Sequence, residues 1–454
     1  MGNRVLKSFM VPISSARRFC NPEMRYVFRS YRDGVRFRKL SLTWSASEKQ
    51  DWILRRLRKI VRHAAETTSY YNNLFRKIGF DPFYDFGFEE YSALPTLDRP
   101  VLCNQAENLI SSDVPSKHLL MDSTGGSTGS PIQIWLGPQE RGWRESSMQF
   151  AFERVGINCR DRMAFFWGHH LDPRGSDSAL DRLRSYLRNE RYFDCFRLSN
   201  DVFRKYHFEF ERYRPDCIVA YASALGQFAE YLAESRIEPK NYPTKCFVTG
   251  AEKLLPRHRD AIESVFGPNR PVHERYGGRD FGLVGIQVDP TNSLDFEVDW
   301  AWAMLEPETE DDESSLLVTK LHADAMPLIR YRVGDDCRFP SGSKPGHPTF
   351  ALKEVIGREL DRIWLKDGSW IAGEQFPHLL KSFAIHEFML IQDESYAVEL
   401  QIVPKKDFNH LEESEIESIV EANLKGLPFC IRTVANVERT VSNKWRPVVS
   451  KVKR

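Results

Sequence analysis

The eight cysteines stand far apart, at positions 20, 103, 159, 195, 217, 246, 337 and 430, and no two form a C-x-x-C pair. That spacing excludes a zinc ribbon or a thioredoxin-type site, and a disulfide scaffold is not expected in a chain of 454 residues. Reduced thiols in a cytoplasmic protein are the expectation. Long apolar runs are also missing: no stretch of 18 such residues occurs, and the start has no apolar segment of signal-peptide length. Met1–Gly2 opens like a myristoylation site, but Leu6 stands where Ser or Thr is needed. No acidic residue precedes Glu23, a trait shared with transit peptides and kept as a minor alternative. Net charge is only +1, so the molecule as a whole has no field suited to nucleic acid, and no such partner is expected.

What is present is ordinary soluble composition, 41% hydrophobic and 28% charged, over a length that implies two or more domains. Charge is uneven along the chain. Residues 1–60 hold 15 Lys and Arg against 4 Asp and Glu, while Glu306, Glu308, Glu310, Asp311, Asp312 and Glu313 form an acidic cluster. Both are read first as solvated faces. Contact of the N-terminal segment with an anionic partner or a membrane surface is the sharper alternative.

Between residues 49 and 64, Ile53, Leu54, Leu57, Ile60 and Val61 recur at helical spacing and predict an amphipathic helix with a basic outer face. Ile132, Ile134 and Leu136 alternate as in a strand, and residues 161–168 read as a buried one. Residues 215–235 read as strand, turn and helix, 245–254 as a strand ending in Gly250, and 271–285 as a strand running into a Gly-rich turn. Strands alternating with helices predict an α/β architecture, α+β overall, with mixed sheets and flanking helices. Trp300–Leu305 and Ser315–Leu321 are expected to form a hairpin with the acidic cluster as its solvated tip. After residue 357 a small α+β unit is expected: strands at Phe388–Gln392 and Tyr396–Val403, a helix near Glu415–Lys425 stopped by Gly426, and a strand at 430–437. The predicted domains are a basic extension over 1–48, a large domain over 49–357 and a small one over 358–454.

The stretch TGGSTGSP, residues 124–131, frames the functional question. Small residues let several backbone N–H groups approach phosphate oxygens, and Ser and Thr hydroxyls add donors. It lacks the lysine of a Walker loop and does not fit G-x-G-x-x-G; a flexible linker has the same composition.

An ordered series of segments resembles the motifs of the adenylate-forming superfamily, the acyl- and aryl-CoA ligases. TGGSTGSP is similar to its phosphate loop, TGAEKL (249–254) to its adenine-site loop and YGGRDFG (276–282) to its Tyr-Gly-x-x-Glu motif. Further on, YRVGD (331–335) resembles Tyr-x-Thr-Gly-Asp, GRELDRI (357–363) the hinge motif, and SNKWRPVVSK (442–451) the C-terminal lysine motif. The resemblance spans roughly residues 50–454 and is nearest the phenylacetate–CoA ligase-like branch, with its capsule-biosynthesis-associated members.

That resemblance implies an acid attacking the α-phosphorus of ATP, giving an acyl-adenylate and pyrophosphate, then transfer to CoA, a carrier-protein phosphopantetheine or an amine. By the same implication Thr124, Gly125, Gly126, Ser127, Thr128 and Gly129 hold phosphates, and Thr128 with Asp280 meets Mg²⁺. Lys444 bridges the α-phosphate and the carboxylate, Asp335 binds the ribose, and Arg358 steers phosphate or ribose. Gly250, Ala251, Glu252, Arg275, Tyr276 and Gly277 frame the adenine. Trp167, His169, His170, Tyr221, Ser223, Gly277 and Gly278 line the acyl pocket, although the two histidines also fit a plain strand-end pair. The small domain is expected to turn about Leu360–Asp361. Three positions depart from the pattern: Asp280 for Glu, Val333 for Thr and Asn443 for Gly. They leave open a nucleotide-binding relative with little turnover, acting as an assembly or regulatory subunit.

Overall fold

The structure, a computed structural model, describes residues 22–123, 132–158, 160–167, 189–195, 198–239, 242–358, 362–367, 370–373, 375–380, 383–438 and 446–452. Three helices come first, α1 (Pro22–Ser41), α2 (Ala46–Thr67) and α3 (Ser69–Ile78). α2 starts in a capping box: Ser45 Oγ accepts from Glu48 N, and Glu48 caps the Ser45 N–H in return. Of the five positions at helical spacing, Ile53, Leu57, Ile60 and Val61 are buried and Leu54 is half-buried. A hairpin of β1 (Leu120–Ser123) and β2 (Gln133–Leu136) then leads into α4 (Pro138–Arg154).

The main sheet is built from β3 (Met163–Trp167), β4 (Glu190–Asp194), β5 (Cys217–Tyr221), β6 (Cys246–Gly250), β7 (Val272–Gly278), β8 (Gly282–Gln287) and β9 (Phe296–Val298). In space the order is β4-β3-β5-β6-β7-β8-β9. Strands β4 to β7 run parallel, and β8 and β9 antiparallel. The central parallel strands β3, β5 and β6 are largely apolar because both faces are covered. Period-2 alternation sends Ala164, Phe166, Ile218, Ala220 and Phe247 to one face. There they pack on α5 (Asn200–Tyr213), α6 (Ala222–Glu234) and α7 (Pro256–Phe266). Met163, Phe165, Cys217, Val219, Cys246 and Val248 take the opposite face, against Ala151 and Phe152 of α4.

After β9 come β10 (Ala303–Pro307), β11 (Glu313–Lys320), β12 (Tyr331–Arg338), the short β13 (Ala351–Leu352), which returns to the edge of the main sheet beside β9, and β14 (Glu354–Arg358). β10, β11, β12 and β14 form a second, antiparallel sheet in that order. A hairpin β15 (Arg362–Trp364)/β16 (Trp370–Ala372) precedes the last sheet. That sheet contains β17 (Ile385–Gln392), β18 (Val398–Pro404), β19 (Phe429–Thr433) and β20 (Val448–Ser450), ordered β19-β18-β17-β20, with α8 (His410–Asn423) between β18 and β19. One apolar cluster gathers Ile363, Phe388, Leu400, Ile416, Val420 and Val448 with Leu255 from ahead of α7.

Several expectations change. The helix expected near Glu415–Lys425 spans His410–Asn423, and the strand expected over 430–437 is Phe429–Thr433. Residues 215–235 contain no separate turn, because β5 runs straight into α6 with Tyr221 as N-cap. The hairpin after β9 begins at Ala303 rather than Trp300, whose ring instead packs with Phe37, Trp44 and Trp52. The acidic cluster is not wholly solvated: Glu306 is 1% exposed and pairs with Arg330 Nε at 3.3 Å. Glu308 and Glu313 likewise pair with Arg332 and Arg338. Hairpin geometry puts Glu306 on the inward face of β10, where a buried charge needs a counter-charge.

The basic beginning of the chain folds against the body. α1 crosses α4 where two glycines let the backbones meet: a Cβ on Gly142 would lie 2.4 Å from Val27 O, and one on Gly34 2.2 Å from Ser146 Oγ. Arg38 is buried there and donates from Nη2 to Asp299 Oδ2 at 2.7 Å and from Nη1 to Ser146 Oγ at 2.7 Å.

Candidate active site

Parallel strands present their carboxyl ends along one edge of a sheet, the usual place for a ligand in an open α/β fold. Here that edge carries Trp167 (β3), Tyr221 (β5), Gly250 (β6) and Arg275–Gly278 (β7). β7 turns back tightly into β8. A Cβ on Gly277 would fall 2.4 Å from Gly282 O, and one on Gly278 2.4 Å from Asp280 Oδ1, so this hairpin admits only glycine at both positions.

Two hydrogen bonds cross from this turn to β12 of the second sheet. Tyr276 Oη donates to Asp335 Oδ2 at 2.7 Å, and Tyr331 Oη donates to Asp280 Oδ2 at 2.8 Å. Each sheet thus supplies one tyrosine donor and one carboxylate acceptor. Burial and the facing carboxylates push both phenols well above their ordinary value, which keeps them protonated and donating. Asp280 is 7% exposed, whereas Asp335 is half-buried and opens toward solvent.

The base of the Gly/Ser stretch lies beside the same turn. Ser123 pairs with Gln133 at the loop end of the β1/β2 hairpin, and Asp122 Oδ1 lies 3.7 Å from Arg279 Nη1. Arg144 of α4 donates to Arg279 O at 3.0 Å, fixing the turn from behind. Thr124, Gly125, Gly126, Ser127, Thr128 and Gly129 themselves lie outside the described residues, as do His169, His170, Asn443, Lys444 and the Leu360–Asp361 step.

At the end of β6, Ala251 has φ +69°, a left-handed conformation that is costly for a residue with a Cβ and is held only by its surroundings. Those surroundings are specific. Glu252 Oε2 accepts from Ser223 N at 3.1 Å and Ser223 Oγ at 2.6 Å, pinning the loop to the first turn of α6. Lys253 Nζ reaches Glu354 Oε1 at 3.0 Å, and Leu254 N donates to Glu274 Oε1 at 3.1 Å. Burial pushes the Glu274 carboxyl up to about 7. Gly250 packs directly under Arg275, whose Cγ would be 2.9 Å from an added Cβ.

The aromatic residues expected around the acid also meet. Trp167 and Tyr221 pack edge to face with centroids 4.6 Å apart, and the Arg275 guanidinium lies 4.8 Å from the Trp167 centroid. Burial lowers Arg275 to about 10, still a cation at neutral pH. The buried Trp167 Nε1 makes no hydrogen bond among the described residues.

Arg358 stands opposite Asp335 in the β12/β14 register. The neighbouring Asp336 points to the other side of β12, where it pairs with Arg362 and accepts from Ser315 Oγ at 2.7 Å. Tyr331, Arg279 and Arg362 carry contacts at this site that sequence reasoning assigned to none of them. Each lies inside a segment already singled out, but only the three-dimensional pairing reveals its role, since the Tyr331–Asp280 and Tyr276–Asp335 contacts span 51 and 59 residues.

No family model matches the sequence. A phenylacetate–coenzyme A ligase of Pseudomonas putida is 20% identical over 384 residues, 81% of this chain and 84% of that protein. Protein CapK of Staphylococcus aureus is 22% identical over 246 residues, so in that alignment the chain spans about half the relative's length, 54% of each. Among solved structures, a 2-hydroxyisobutyryl-CoA ligase in its postadenylation state, with a 3-hydroxyisobutyryl-type acyl-AMP, superposes with a TM-score of 0.70 at 17% identity, covering 90% of this chain and 91% of that one. Several of the motif segments thus meet at one sheet edge, and the chain shares its fold with this CoA ligase and is similar in sequence to a phenylacetate–coenzyme A ligase and to CapK.

Proposed function

We propose that this protein activates a carboxylic acid with ATP, releasing pyrophosphate, and passes the acyl group to a thiol such as CoA or a carrier-protein phosphopantetheine, or to an amine. The observation that carries the reading is the crossed pair of Tyr–Asp hydrogen bonds, 2.7 and 2.8 Å, joining segments that sequence alone marks as nucleotide motifs. Support also comes from the relatives' names and from the adenylate held by the structural neighbour.

In this reading the acid lies over the Gly277–Gly278 backbone, against Trp167 and Tyr221, with Ser223, His169 and His170 at the pocket's border. Its carboxylate attacks the α-phosphorus, the bond to the β-phosphate oxygen breaks, and pyrophosphate leaves with the electron pair. Lys444 holds the α-phosphate and the incoming carboxylate together as a compact cation. Backbone amides of residues 124–129 cradle the departing phosphates. Asp335, presented by Tyr276 on its inner side, accepts from the ribose hydroxyls, and Arg358 across the ladder steers the phosphate. Gly250, Ala251, Glu252 and Arg275 shape the adenine slot.

Asp280 and Thr128 offer hard oxygen donors suited to Mg²⁺, and the Tyr331 bond leaves the Asp280 carboxylate oriented for that task. When bound there, the metal neutralises charge on the triphosphate.

The test is acid-dependent exchange of labelled pyrophosphate into ATP over a panel of aryl, short-chain and long-chain acids. One acid or more should support exchange, and Lys444→Ala should reduce it by at least a hundredfold. ATP binding with no exchange for any acid would replace this reading with that of a nucleotide-binding subunit.

A further inference from the structure

We propose that the outer face of α1 docks this protein on an anionic lipid surface. Its inner face is occupied: Val27, Ser30, Gly34, Arg38 and Ser41 are buried against α4 and the residues around it. The helix is therefore fixed, and its outward face is a rigid array rather than a flexible arm.

That face carries Arg25, Arg29, Arg32, Arg36 and Lys39, all exposed, at spacings of four, three, four and three residues. This is the spacing that keeps side chains on one helical stripe. At 1.5 Å per residue the five cations extend over about 21 Å. Asp33, at 4.0 Å from Arg29, is the one acidic residue exposed between residues 24 and 43. A net charge of +1 for the whole chain makes the stripe a local concentration and not a sample of a basic protein.

The apolar residues beside the stripe choose the partner. Tyr26 and Leu40 of α1 and Leu42 just past its end are 52%, 64% and 56% exposed, and a shallow groove is lined by Tyr31, Arg32, Val35, Arg36, Lys39 and Leu40. A nucleic-acid backbone would satisfy the cations but offers no place for two exposed leucines. A bilayer surface offers both, with phosphate and carboxylate headgroups for the cations and the acyl boundary for Leu40, Leu42 and the Tyr26 ring. A helix held flat on the protein lies in the plane such a surface requires.

The experiment is flotation of the full-length protein with vesicles, either pure phosphatidylcholine or with about a third phosphatidylserine. It reads binding alone and is independent of the catalytic reading. The protein should float with the anionic vesicles and not the neutral ones, and raising the salt should release it. Replacing Arg29, Arg32 and Arg36 together by Gln, all exposed, should lower the partition on the order of a hundredfold, about fivefold per charge, at an unchanged melting temperature. Leu40→Ser with Leu42→Ser should lower it further at constant charge. Equal flotation with neutral vesicles, an unaffected triple variant, or tighter binding to duplex DNA than to anionic vesicles at the same ionic strength would each overturn the proposal.

Discussion

Tyr331→Phe removes a single oxygen from the crossed pair and leaves the ring in place. Tyr331 is 1% exposed and its acceptor, Asp280, 7% exposed, so water does not readily take over the lost bond. A hydrogen bond to a charged group in such a setting is worth about 1.5–3 kcal/mol, and an unsatisfied buried carboxylate costs about the same. Tyr276→Phe makes the same chemical change against Asp335, which solvent reaches, so its cost should be smaller, about 0.5–1.5 kcal/mol. The assay is equilibrium urea unfolding of both variants, with a double-mutant cycle pairing Tyr331→Phe with Asp280→Ala. A coupling energy of about 1.5–3 kcal/mol is expected in that cycle. Equal losses in the two Tyr→Phe variants, or strict additivity of Tyr331→Phe with Asp280→Ala, would refute the argument that burial sets the strength of these bonds.

Lys320 and Glu140 form an ion pair at 2.8 Å with neither side chain exposed, so Lys320→Met should destabilise by about 3–5 kcal/mol, and adding Glu140→Leu should recover much of that loss in the same unfolding assay. Glu274 is raised from 4.5 to about 7 in the folded state, so its favourable contribution is complete below pH 4.5 and is lost as pH rises through about 7. The stability difference between the protein and its Glu274→Gln variant should therefore change by on the order of 1–3 kcal/mol between pH 5 and pH 8; a constant difference would contradict the raised value. Gly277→Ala puts a Cβ 2.4 Å from Gly282 O, so it should disturb the β7/β8 turn, lowering the melting temperature and ATP affinity together, and an unperturbed variant would show the turn to be slack.

Much of the parallel sheet was legible because its signal is local. Cys217–Tyr221 and Cys246–Gly250 are short apolar runs, and a strand buried on both faces has to be one. α2 was legible for the same reason, its apolar stripe lying within 22 residues. The inward turn of α1 was not: its sequence is dominated by cations, and Arg38 is buried only because Asp299 and Ser146 arrive from distant parts of the chain. Glu306 misled in the same way, since a run of acids looks solvated until Arg330 is placed beside one of them. At the site, segments were recognisable but partnerships were not. Nothing near Tyr331 in sequence announces Asp280, and nothing near Ser223 announces Glu252.

Asp335 and Asp336 are consecutive on β12 and therefore look in opposite directions. One meets the tyrosine of the main sheet, and the other meets Arg362, four residues past the end of the β14 rung that faces Asp335. Any swing of the chain beyond residue 358 has first to unlatch that arginine, one peptide away from the carboxylate proposed to meet the ribose. Under the proposed function, this dipeptide would tie the ribose side of β12 to the start of the C-terminal unit through two adjacent carboxylates, so that loosening one contact is expected to weaken the other.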